Sequence, residues 1–362
     1  MNVEKRPFII SGPCSAESRD QVISTAQALK STANYYRAGL WKPRTRPNEF
    51  EGVGELGLPW LREVREGVGL PVMTEVACAE HVDLILKNGI DAVWIGARTT
   101  VSPFAVQSIA DALKGTNIPV LVKNPMHADL KLWIGAVERI DNAIKGDVIA
   151  LHRGFSSYGL KKFRNAPMWE MPIGLRSEMP EIKLFCDPSH IAGKRNLIQS
   201  VAQKAMDLGM DGLMIESHIN PQVALSDAEQ QLIPGDLISL ITSLEIRDLT
   251  LDKVQTSDLR DPRIEIDSID ERLVELLSGR MNIARTIGKY KKDHGLTVLQ
   301  LSRWKEIMRS RKVWSEEMGI EQEFLRLVLE QVHKESIRIQ TEILNSELDE
   351  GESQVGFDKL QI

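Results

Sequence analysis

Four residues of the types that bind metal ions are spread over the first 230 residues of the sequence. They are Cys14, His190, Glu216 and Asp227. A thiolate, an imidazole and two carboxylates suit a borderline divalent ion such as manganese, iron, cobalt or zinc better than they suit magnesium. Taken alone, Cys14 is more simply explained as a small buried apolar side chain. The metal hypothesis therefore requires that the fold bring these residues together.

Cationic residues form a second set over the same part of the chain. They are Lys42, Arg44, Arg98, Lys123 and Arg153. Individually, each is explained by the usual solvated position of lysine and arginine at a protein surface. If they share one site, they need counter-charge, which a phosphorylated or carboxylated substrate supplies. The net charge of -6 gives no general attraction to nucleic acid or to an anionic membrane, so we expect the anion site to be local.

The elements that must position both sets are short apolar runs, which are typical of buried strands. The first two runs begin at Phe8 and Tyr35, and the others are Pro71–Val76, Ala92–Gly96, Pro119–Asn124, Asp147–Arg153, Lys183–Asp187 and Gly212–Glu216. Amphipathic segments separate them. Eight strand–helix units within residues 1–245 favour a parallel (β/α)₈ TIM barrel over an open doubly wound sheet. No GxGxxG pattern follows the first strand, which also counts against a dinucleotide-binding fold.

A barrel of this kind places its chemistry at the carboxyl ends of its strands, where the following loops converge. Cys14 ends the first strand, Lys123 the fifth and Glu216 the eighth, and the other members of both sets follow their strands or lie in the next loop. We therefore predict that the metal-binding set and the cationic set meet at one mouth of the barrel.

Six motifs, in this order along the chain, resemble those of the 3-deoxy-D-arabino-heptulosonate 7-phosphate (DAHP) synthase family. They are Gly12-Pro-Cys-Ser15, Lys42-Pro-Arg-Thr45, Ile95-Gly-Ala-Arg98, Asp187-Pro-Ser-His190, Glu216-Ser-His218 and Ala224-Leu-Ser-Asp227. The resemblance covers residues 5–245. It implies condensation of phosphoenolpyruvate with erythrose 4-phosphate, the first step of the shikimate pathway, with a divalent metal and no organic cofactor. A related barrel synthase that uses arabinose 5-phosphate is a close alternative, which Lys42-Pro-Arg-Thr45 disfavours.

The resemblance also implies a role for individual residues. The implied metal ligands are Cys14, His190, Glu216 and Asp227; the implied phosphoenolpyruvate-binding residues are Arg37, Lys42, Arg98, Lys123 and Arg153; and Arg44 and Thr45 would meet the phosphate of erythrose 4-phosphate. Lys42 or a water molecule would protonate the new alkoxide. Because Arg37 and Lys42 would point to opposite faces of a regular strand, we predict that Lys42 already lies in the loop.

Composition and cysteine usage predict a cytoplasmic protein. The three cysteines show no paired spacing, and the sequence does not begin with the apolar run of a signal peptide or membrane anchor. Neither nucleic acid nor a membrane is therefore an expected partner.

The last 100 residues have a different pattern, in which strand–helix alternation stops. A polar stretch, 246–261, is predicted to be a linker between the barrel and an all-helical domain at 262–345. Helices are predicted at 262–292, 299–317 and 321–344 from glycine and proline positions and apolar periodicity. Residues 346–362 are acidic and polar and are predicted to form a mobile tail.

One stripe of the first of these helices mixes apolar residues with cations. It consists of Arg263, Ile266, Leu273, Leu277, Arg280, Ala284, Ile287 and Lys291. Cations on an apolar face indicate either an interhelical salt bridge or a buried pocket for an anion. The third helix places Ser336 and Gln340 one turn apart on its own apolar stripe.

These positions resemble the all-helical class of chorismate mutase, a domain-swapped dimer that converts chorismate to prephenate without a cofactor. The residues implied to bind the dicarboxylate are Arg263, Arg280, Lys291, Arg303, Ser336 and Gln340, of which Arg280, Lys291 and Gln340 would act in catalysis. The sequence departs from the family at Gln300 and Trp304, where acidic residues are common. A module that dimerises and senses a ligand without catalysis is the alternative. In fused relatives such a domain serves feedback inhibition.

Overall fold

The computed structural model describes residues 7–44, 46, 48–159, 162–246, 257–298 and 313–346, with only the backbone course given for 257–261. The chain divides into two compact units, Met1–Leu249 and Thr250–Ile362. Among the described residues, no helix is both long enough and apolar enough to cross a membrane.

In the described part of the first unit, eight parallel strands close into a barrel in sequence order. The strands are β1 (Phe8–Gly12), β2 (Tyr35–Arg37), β3 (Val72–Val76), β4 (Ala92–Ile95), β5 (Val120–Lys123), β6 (Val148–His152), β7 (Lys183–Cys186) and β8 (Gly212–Glu216). Pairing of β1 with β8 closes the barrel, with Phe8 opposite Gly212 and Gly12 opposite Glu216. The predicted barrel is confirmed.

Helices surround the strands. They are α1 (Arg19–Leu29), α2 (Leu58–Glu63), α3 (Ala79–Lys87), α4 (Ala97–Thr100), α5 (Pro103–Ala112), α6 (Leu130–Asp141), α7 (Glu170–Glu178), α8 (Pro188–Ala192), α9 (Arg195–Asp207) and α10 (Pro234–Ser243). In α6, the side chain of Asp129 accepts a hydrogen bond from the backbone N–H of Leu132 and so caps the first turn. Trp133, Val137 and Ile140, spaced by four and three residues, are then buried against the strands.

Two apolar layers hold the barrel together. One lies between the strands and the helices, and the other fills the barrel interior and includes Ile10, Met73, Trp94, Leu121 and Leu151. Trp94 is fully buried and is among the largest side chains of the interior. The strands are buried on both faces, as expected of a parallel sheet covered by helices, and the interior is packed below the mouth.

The described part of the second unit is helical. It contains α11 (Ser257–Asp293) and α12 (Gln322–Asn345), and residues 313–318 are also helical. α11 begins five residues before Pro262, where the sequence predicted its start. Most of the predicted second helix, at 299–312, lies outside the described residues. Ala284 on α11 and Ile339 on α12 are buried in this unit.

Candidate functional site

A cavity of about 620 Å³ opens at the carboxyl ends of the barrel strands. Its lining includes members of both sets of residues that the sequence singled out. Those that line it are Lys42, Arg44, Arg98, Lys123, Arg153, His190 and Asp227. Cys14 and Glu216 are fully buried next to it. The barrel thus brings together residues that are up to 213 positions apart in the sequence, as the separation of Cys14 and Asp227 shows.

The four residues expected to bind metal place their donor atoms around one point. The ligand atoms of Cys14, Glu216 and Asp227 all lie within 4.8 Å of one another. His190 Nε2 lies 3.9 Å from Glu216 Oε1 and 3.9 Å from Asp227 Oδ2. Donors bound to one ion at about 2.0–2.3 Å lie about 3–4.5 Å from one another. Cys14, Glu216 and Asp227 therefore fit one divalent ion, and His190 Nε2 lies close to the two carboxylates of that set.

The backbone on each side of this site adopts conformations that position the ligands. Gly12 has φ +150°, and a Cβ there would lie 2.0 Å from the carbonyl oxygen of Arg37, so a side chain would collide with β2. The backbone N–H of Cys14 donates to Gln231 Oε1 at 2.9 Å. Asp227 has φ +49°, a left-handed conformation that costs energy in a residue other than glycine and that occurs often at functional sites.

The titration of these ligands depends on burial and on charge. Burial, with Glu216 next in importance, raises the pKa of the Cys14 thiol to about 12, although Lys42 opposes the shift. Burial alone would raise the pKa of the Asp227 carboxyl, but His190 and Arg164 lower it well below its usual range. The carboxylates are thus held as anions, and Cys14 needs a cation to become a thiolate.

Arg37 lies beneath the metal-binding residues and does not line the cavity. Its Nη1 is 3.3 Å from Glu216 Oε1, its Nη2 donates to the Cys14 carbonyl oxygen at 2.9 Å, and its guanidinium lies 4.6 Å from the ring centre of Trp94. In this arrangement Arg37 supports two of the metal-binding residues. The sequence-based expectation was contact with phosphoenolpyruvate.

Lys42 lies in the loop after β2, as predicted, because that strand ends at Arg37. Its Nζ is 3.1 Å from Cys14 Sγ and 3.2 Å from the Cys14 carbonyl oxygen. Arg44 donates to the carbonyl of Phe50 at 2.7 Å, and Arg98 donates to that of Pro43 at 3.2 Å. Thr45 lies outside the described residues. Lys42 is therefore the cation that contacts the metal-binding thiol directly.

Two further cations are buried on the other side of the mouth. Lys123 Nζ lies 3.0 Å from Asp187 Oδ2, and Arg153 Nη1 donates to Asn165 Oδ1 at 2.8 Å. Lys123 is 5% exposed and Arg153 7% exposed. Burial lowers the pKa of Arg153 to about 10, while Asp187 opposes the shift. These cations are held in place before any substrate enters.

The structure adds three residues that the sequence analysis did not select. Glu75 is the last residue but one of β3 and lines the cavity, and its Oε2 accepts from Trp94 Nε1 at 3.0 Å. Arg164 Nη1 lies 3.0 Å from Asp227 Oδ1, and Gln230 Nε2 donates to Glu216 Oε2 at 2.7 Å. The strand-end rule could have identified Glu75. Arg164 lies between β6 and α7, away from any strand end, and gave no such signal.

In the helical unit, several of the predicted ligand-binding residues meet between α11 and α12. Arg280 Nη1 donates to Ser336 Oγ and to the carbonyl of Val332. Gln340 is 8% exposed, and its Oε1 has no partner among the described residues. Lys291 Nζ donates to the carbonyl of Val298 at 2.6 Å.

Of the other residues predicted for the helical site, one is exposed and one lies outside the residues that the structure describes. Arg263 is exposed on α11. Arg303 lies outside the described residues, as do Gln300 and Trp304, the positions that depart from the family. The contacts between α11 and α12 therefore form only part of the predicted site.

Two family models match the chain, one for each unit. Residues 3–250 match the DAHP synthetase I family, and residues 262–341 match chorismate mutase type II. The first match covers more than half of the chain, and the second covers most of the described helical residues.

Curated relatives match the barrel unit. A phospho-2-dehydro-3-deoxyheptonate aldolase of Thermotoga maritima is 32% identical over 225 residues, which are 62% of this chain and 64% of that protein. This chain thus spans slightly less than two thirds of that relative. A 2-dehydro-3-deoxyphosphooctonate aldolase of Bordetella petrii is 29% identical over 66% of this chain and 89% of its own length.

Solved structures give the same result. The crystal structure of the Thermotoga maritima DAHP synthase superposes with a TM-score of 0.58 at 29% identity and covers 65% of this chain and 67% of that one. A truncated form of the Thermotoga maritima synthase gives a TM-score of 0.56 at 26% identity and covers 67% of this chain and 88% of that one.

Proposed function

Because the chain belongs to the DAHP synthetase I family, we propose that its barrel condenses phosphoenolpyruvate with erythrose 4-phosphate to give DAHP and phosphate. The observation that carries this proposal is the convergence of four metal-binding residues and a set of cations on one cavity. The ion would be held by Cys14, His190, Glu216 and Asp227 and would polarise the aldehyde oxygen.

The cations divide the cavity between the two substrates. Lys123, Arg98 and Arg153 would bind the phosphate and carboxylate of phosphoenolpyruvate, because they line the cavity and two of them are buried. Arg44 and Thr45 would meet the phosphate of the sugar. Arg37 would act by holding Glu216 and the Cys14 carbonyl, the contacts that the structure gives it.

The proposed reaction forms one carbon–carbon bond and one carbon–oxygen bond to water, and it breaks the carbon–oxygen bond to the phosphate. The methylene carbon of phosphoenolpyruvate attacks the aldehyde carbon, and the aldehyde oxygen takes a proton to become a hydroxyl. Water adds at the adjacent carbon, and phosphate leaves with the bridging oxygen. Lys42 would supply the proton, because Cys14 and Glu75 raise the pKa of its ammonium above the ordinary value, against the effect of burial, and so keep it charged.

A two-substrate assay on the full chain tests this proposal. Phosphate release should require both phosphoenolpyruvate and erythrose 4-phosphate, should stop after treatment with a chelator, and should return when manganese, iron, cobalt or zinc is added. Release that persists in fully chelated protein would contradict the metal assignment.

Arabinose 5-phosphate is a second candidate sugar, because relatives named 2-dehydro-3-deoxyphosphooctonate aldolase also match the barrel. The Lys42-Pro-Arg-Thr45 motif and the helical unit disfavour it. The same assay with both sugars separates the two. A higher kcat/KM with arabinose 5-phosphate would overturn the assignment of erythrose 4-phosphate.

For the helical unit we propose conversion of chorismate to prephenate. The match to chorismate mutase type II and the meeting of Arg280 with Ser336, next to the unpaired buried oxygen of Gln340, support this activity. Arg280 and Lys291 would bind the carboxylates and stabilise charge at the ether oxygen of the transition state. The alternative, a module that binds ligand without catalysis, predicts binding of chorismate by the full chain with no formation of prephenate.

The same unit is proposed to inhibit the barrel when it binds prephenate or chorismate. Inhibition requires the ligand to favour one state of the chain over another, and a typical coupling of about 1–3 kcal/mol changes affinity about 5-fold to 150-fold. Arg280→Ala in the full chain should remove prephenate inhibition without changing synthase activity measured alone. Unchanged inhibition in that variant would place the inhibitor elsewhere, for example in the barrel mouth.

The proposed assembly is a homodimer or a higher homo-oligomer formed through the helical units. Support comes from α11, which exposes many apolar side chains. They are Ile264, Ile266, Ile269, Leu273, Val274, Leu276, Ile283, Ile287 and Tyr290. A long helix with so much exposed apolar surface indicates burial against a partner.

A further inference from the structure

Asp187, the first residue of the Asp187-Pro-Ser-His190 motif, lies between the two halves of the barrel site. The residue follows β7, and its side chain is fully buried. Its backbone N–H donates to the carbonyl of His152 at 2.7 Å, and its Oδ1 accepts from the backbone N–H of His190 at 3.1 Å. These two contacts fix the direction of the carboxylate.

The other oxygen of this carboxylate has two cationic or potentially cationic neighbours. Asp187 Oδ2 lies 3.0 Å from Lys123 Nζ and 2.8 Å from His190 Nδ1. Lys123 belongs to the proposed phosphoenolpyruvate side, and His190 presents its Nε2 to Glu216 and Asp227 on the proposed metal side. A single oxygen atom therefore joins a substrate-binding group to a metal-binding group.

We propose that Asp187 is a positioning residue that couples metal binding to phosphoenolpyruvate binding, so that each ligand tightens the binding of the other. This inference rests on the proposed function of the barrel. The carboxylate would orient the His190 ring, as carboxylates behind metal-binding histidines do, and would also hold Lys123.

The direction of the coupling follows from competition for one oxygen. When a cation binds at His190 Nε2, the imidazole becomes more positive, and its Nδ1 edge, 2.8 Å from Asp187 Oδ2, attracts the Asp187 charge more strongly. Lys123 is then held less strongly by Asp187 and is freer to meet an incoming anion. Conversely, an anion that draws Lys123 away leaves Asp187 to support His190, which makes the imidazole a better ligand. The two effects are equal in size because linkage is reciprocal.

The test measures binding on the full chain. The affinity for phosphoenolpyruvate is measured by calorimetry with and without Mn²⁺, and the ratio of the two dissociation constants is the coupling factor. We expect a factor of about 5 or more in the natural sequence, within the usual range for coupled sites. Asp187→Asn, which keeps the size of the side chain and its cap to His190, should lower this factor to about 2 or less.

Glu75→Gln is the matched control, because it neutralises another buried carboxylate of the same cavity, one that accepts a hydrogen bond from the Trp94 ring nitrogen. The coupling factor should stay at its original value in this variant. Equal loss in Glu75→Gln and Asp187→Asn would mean that the general field of the cavity carries the coupling, and it would overturn the role of Asp187.

A second pair of variants decides the question even if Asp187→Asn does not fold. Lys123→Met releases Asp187 from one neighbour, so the affinity for Mn²⁺ without phosphoenolpyruvate should rise several-fold. Arg153→Met removes a cation of the same cavity whose hydrogen-bond partners are Asn165 and Gly154. This variant should raise the affinity for Mn²⁺ less than Lys123→Met does. Equal increases would overturn the proposal.

Failure of the proposed function gives a different result. In that case the natural sequence does not bind phosphoenolpyruvate with or without Mn²⁺. If it binds and Asp187→Asn leaves the coupling factor unchanged, only the role of Asp187 is overturned.

Discussion

The two units differ in burial. In the barrel, one copy of the chain buries the charged groups of the site. In the helical unit, it leaves apolar side chains of α11 exposed. At the barrel mouth, Arg37, Lys123, Asp187 and Glu216 are all buried, and each has a partner of opposite charge in the same unit. On α11, Leu273 is 51% exposed and Leu276 is 71% exposed. The described charged groups of the barrel mouth are therefore paired within one chain, whereas α11 leaves apolar side chains exposed.

The energy of burial explains why this difference matters. Burying a leucine or isoleucine side chain fully contributes about 1.5–3 kcal/mol, so the exposed apolar residues of α11 favour association strongly. At the barrel mouth the opposite problem arises, because a buried charge is costly unless it is paired. Breaking one pair at the mouth should therefore affect one activity, and breaking the face of α11 should affect the other.

The largest expected effect comes from the metal-binding thiol. Cys14→Ser should weaken metal binding by at least about a hundredfold, because a hydroxyl is a poor replacement for a thiolate ligand. Synthase activity should fall with it at a fixed, limiting metal concentration. Metal affinity is measured by competition with a chromophoric chelator.

Chorismate turnover by the same preparation is the internal control. It should be unchanged, since Arg280, Ser336 and Gln340 belong to the helical unit. Unaltered metal affinity in Cys14→Ser would remove the thiol from the ligand set.

Arg280→Ala should have the next largest effect, on the helical unit alone. If charge complementarity drives the mutase reaction, loss of this guanidinium costs about 3 kcal/mol of transition-state stabilisation, about a hundredfold in kcat/KM. Chorismate consumption and synthase turnover are measured on the same sample. Normal mutase turnover in the variant would favour a structural role for Arg280, consistent with its contacts to Ser336 and Val332.

A charge placed on the exposed face of α11 should dissociate the proposed oligomer. Its effect on activity should be smaller than that of the two changes above. Leu273→Asp should convert the oligomer to monomers at micromolar concentration and lower chorismate turnover about tenfold or more, while synthase turnover stays within about twofold. Glu275→Gln changes the charge of an exposed residue on the same helix and is the control. Light scattering after size exclusion gives the mass, and a monomeric natural chain would contradict the proposed assembly.

The sequence predicted the barrel well because its information is local and repeated. Each strand is a short apolar run followed by a polar or charged residue, and closure of the barrel brings such ends together whatever their distance in the sequence. Gly212–Glu216 was predicted with the bounds that the structure gives, and the other strands differ by a few residues at their ends.

The contacts within the site were harder to predict, because they depend on which side of a loop each side chain occupies. Arg37 contacts Glu216 beneath the cavity, a contact that the family pattern did not suggest, and its binding of phosphoenolpyruvate stays a prediction. Asp187 fits the pattern of a helix cap, and only the structure shows that its second oxygen contacts both Lys123 and His190. Lys123 and Asp187 are 64 positions apart, and apolar periodicity carries no information about such a contact.

The smallest expected effect concerns the stability of the barrel at mildly acidic pH. His152 is fully buried beside Trp133, Phe155 and Trp169, and neither ring nitrogen has a hydrogen-bond partner among the described residues. Burial lowers its pKa to about 3. The unfolded chain binds this proton near pH 6.5 and the native chain does not, so stability is full above about pH 6.5 and falls as the pH decreases toward 3.

Between pH 7 and pH 5 this single group should lower the free energy of unfolding by about 2 kcal/mol. His152→Leu, which fits the apolar surroundings, should reduce the decrease in the free energy of unfolding between pH 7 and pH 5 by that amount. Replacement of the exposed His294 by leucine should leave it unchanged. Urea unfolding of the full chain, followed by tryptophan fluorescence from pH 8 to pH 5, measures the slope. An identical slope in His152→Leu and the natural sequence would show that the imidazole gains access to protons without unfolding of the barrel.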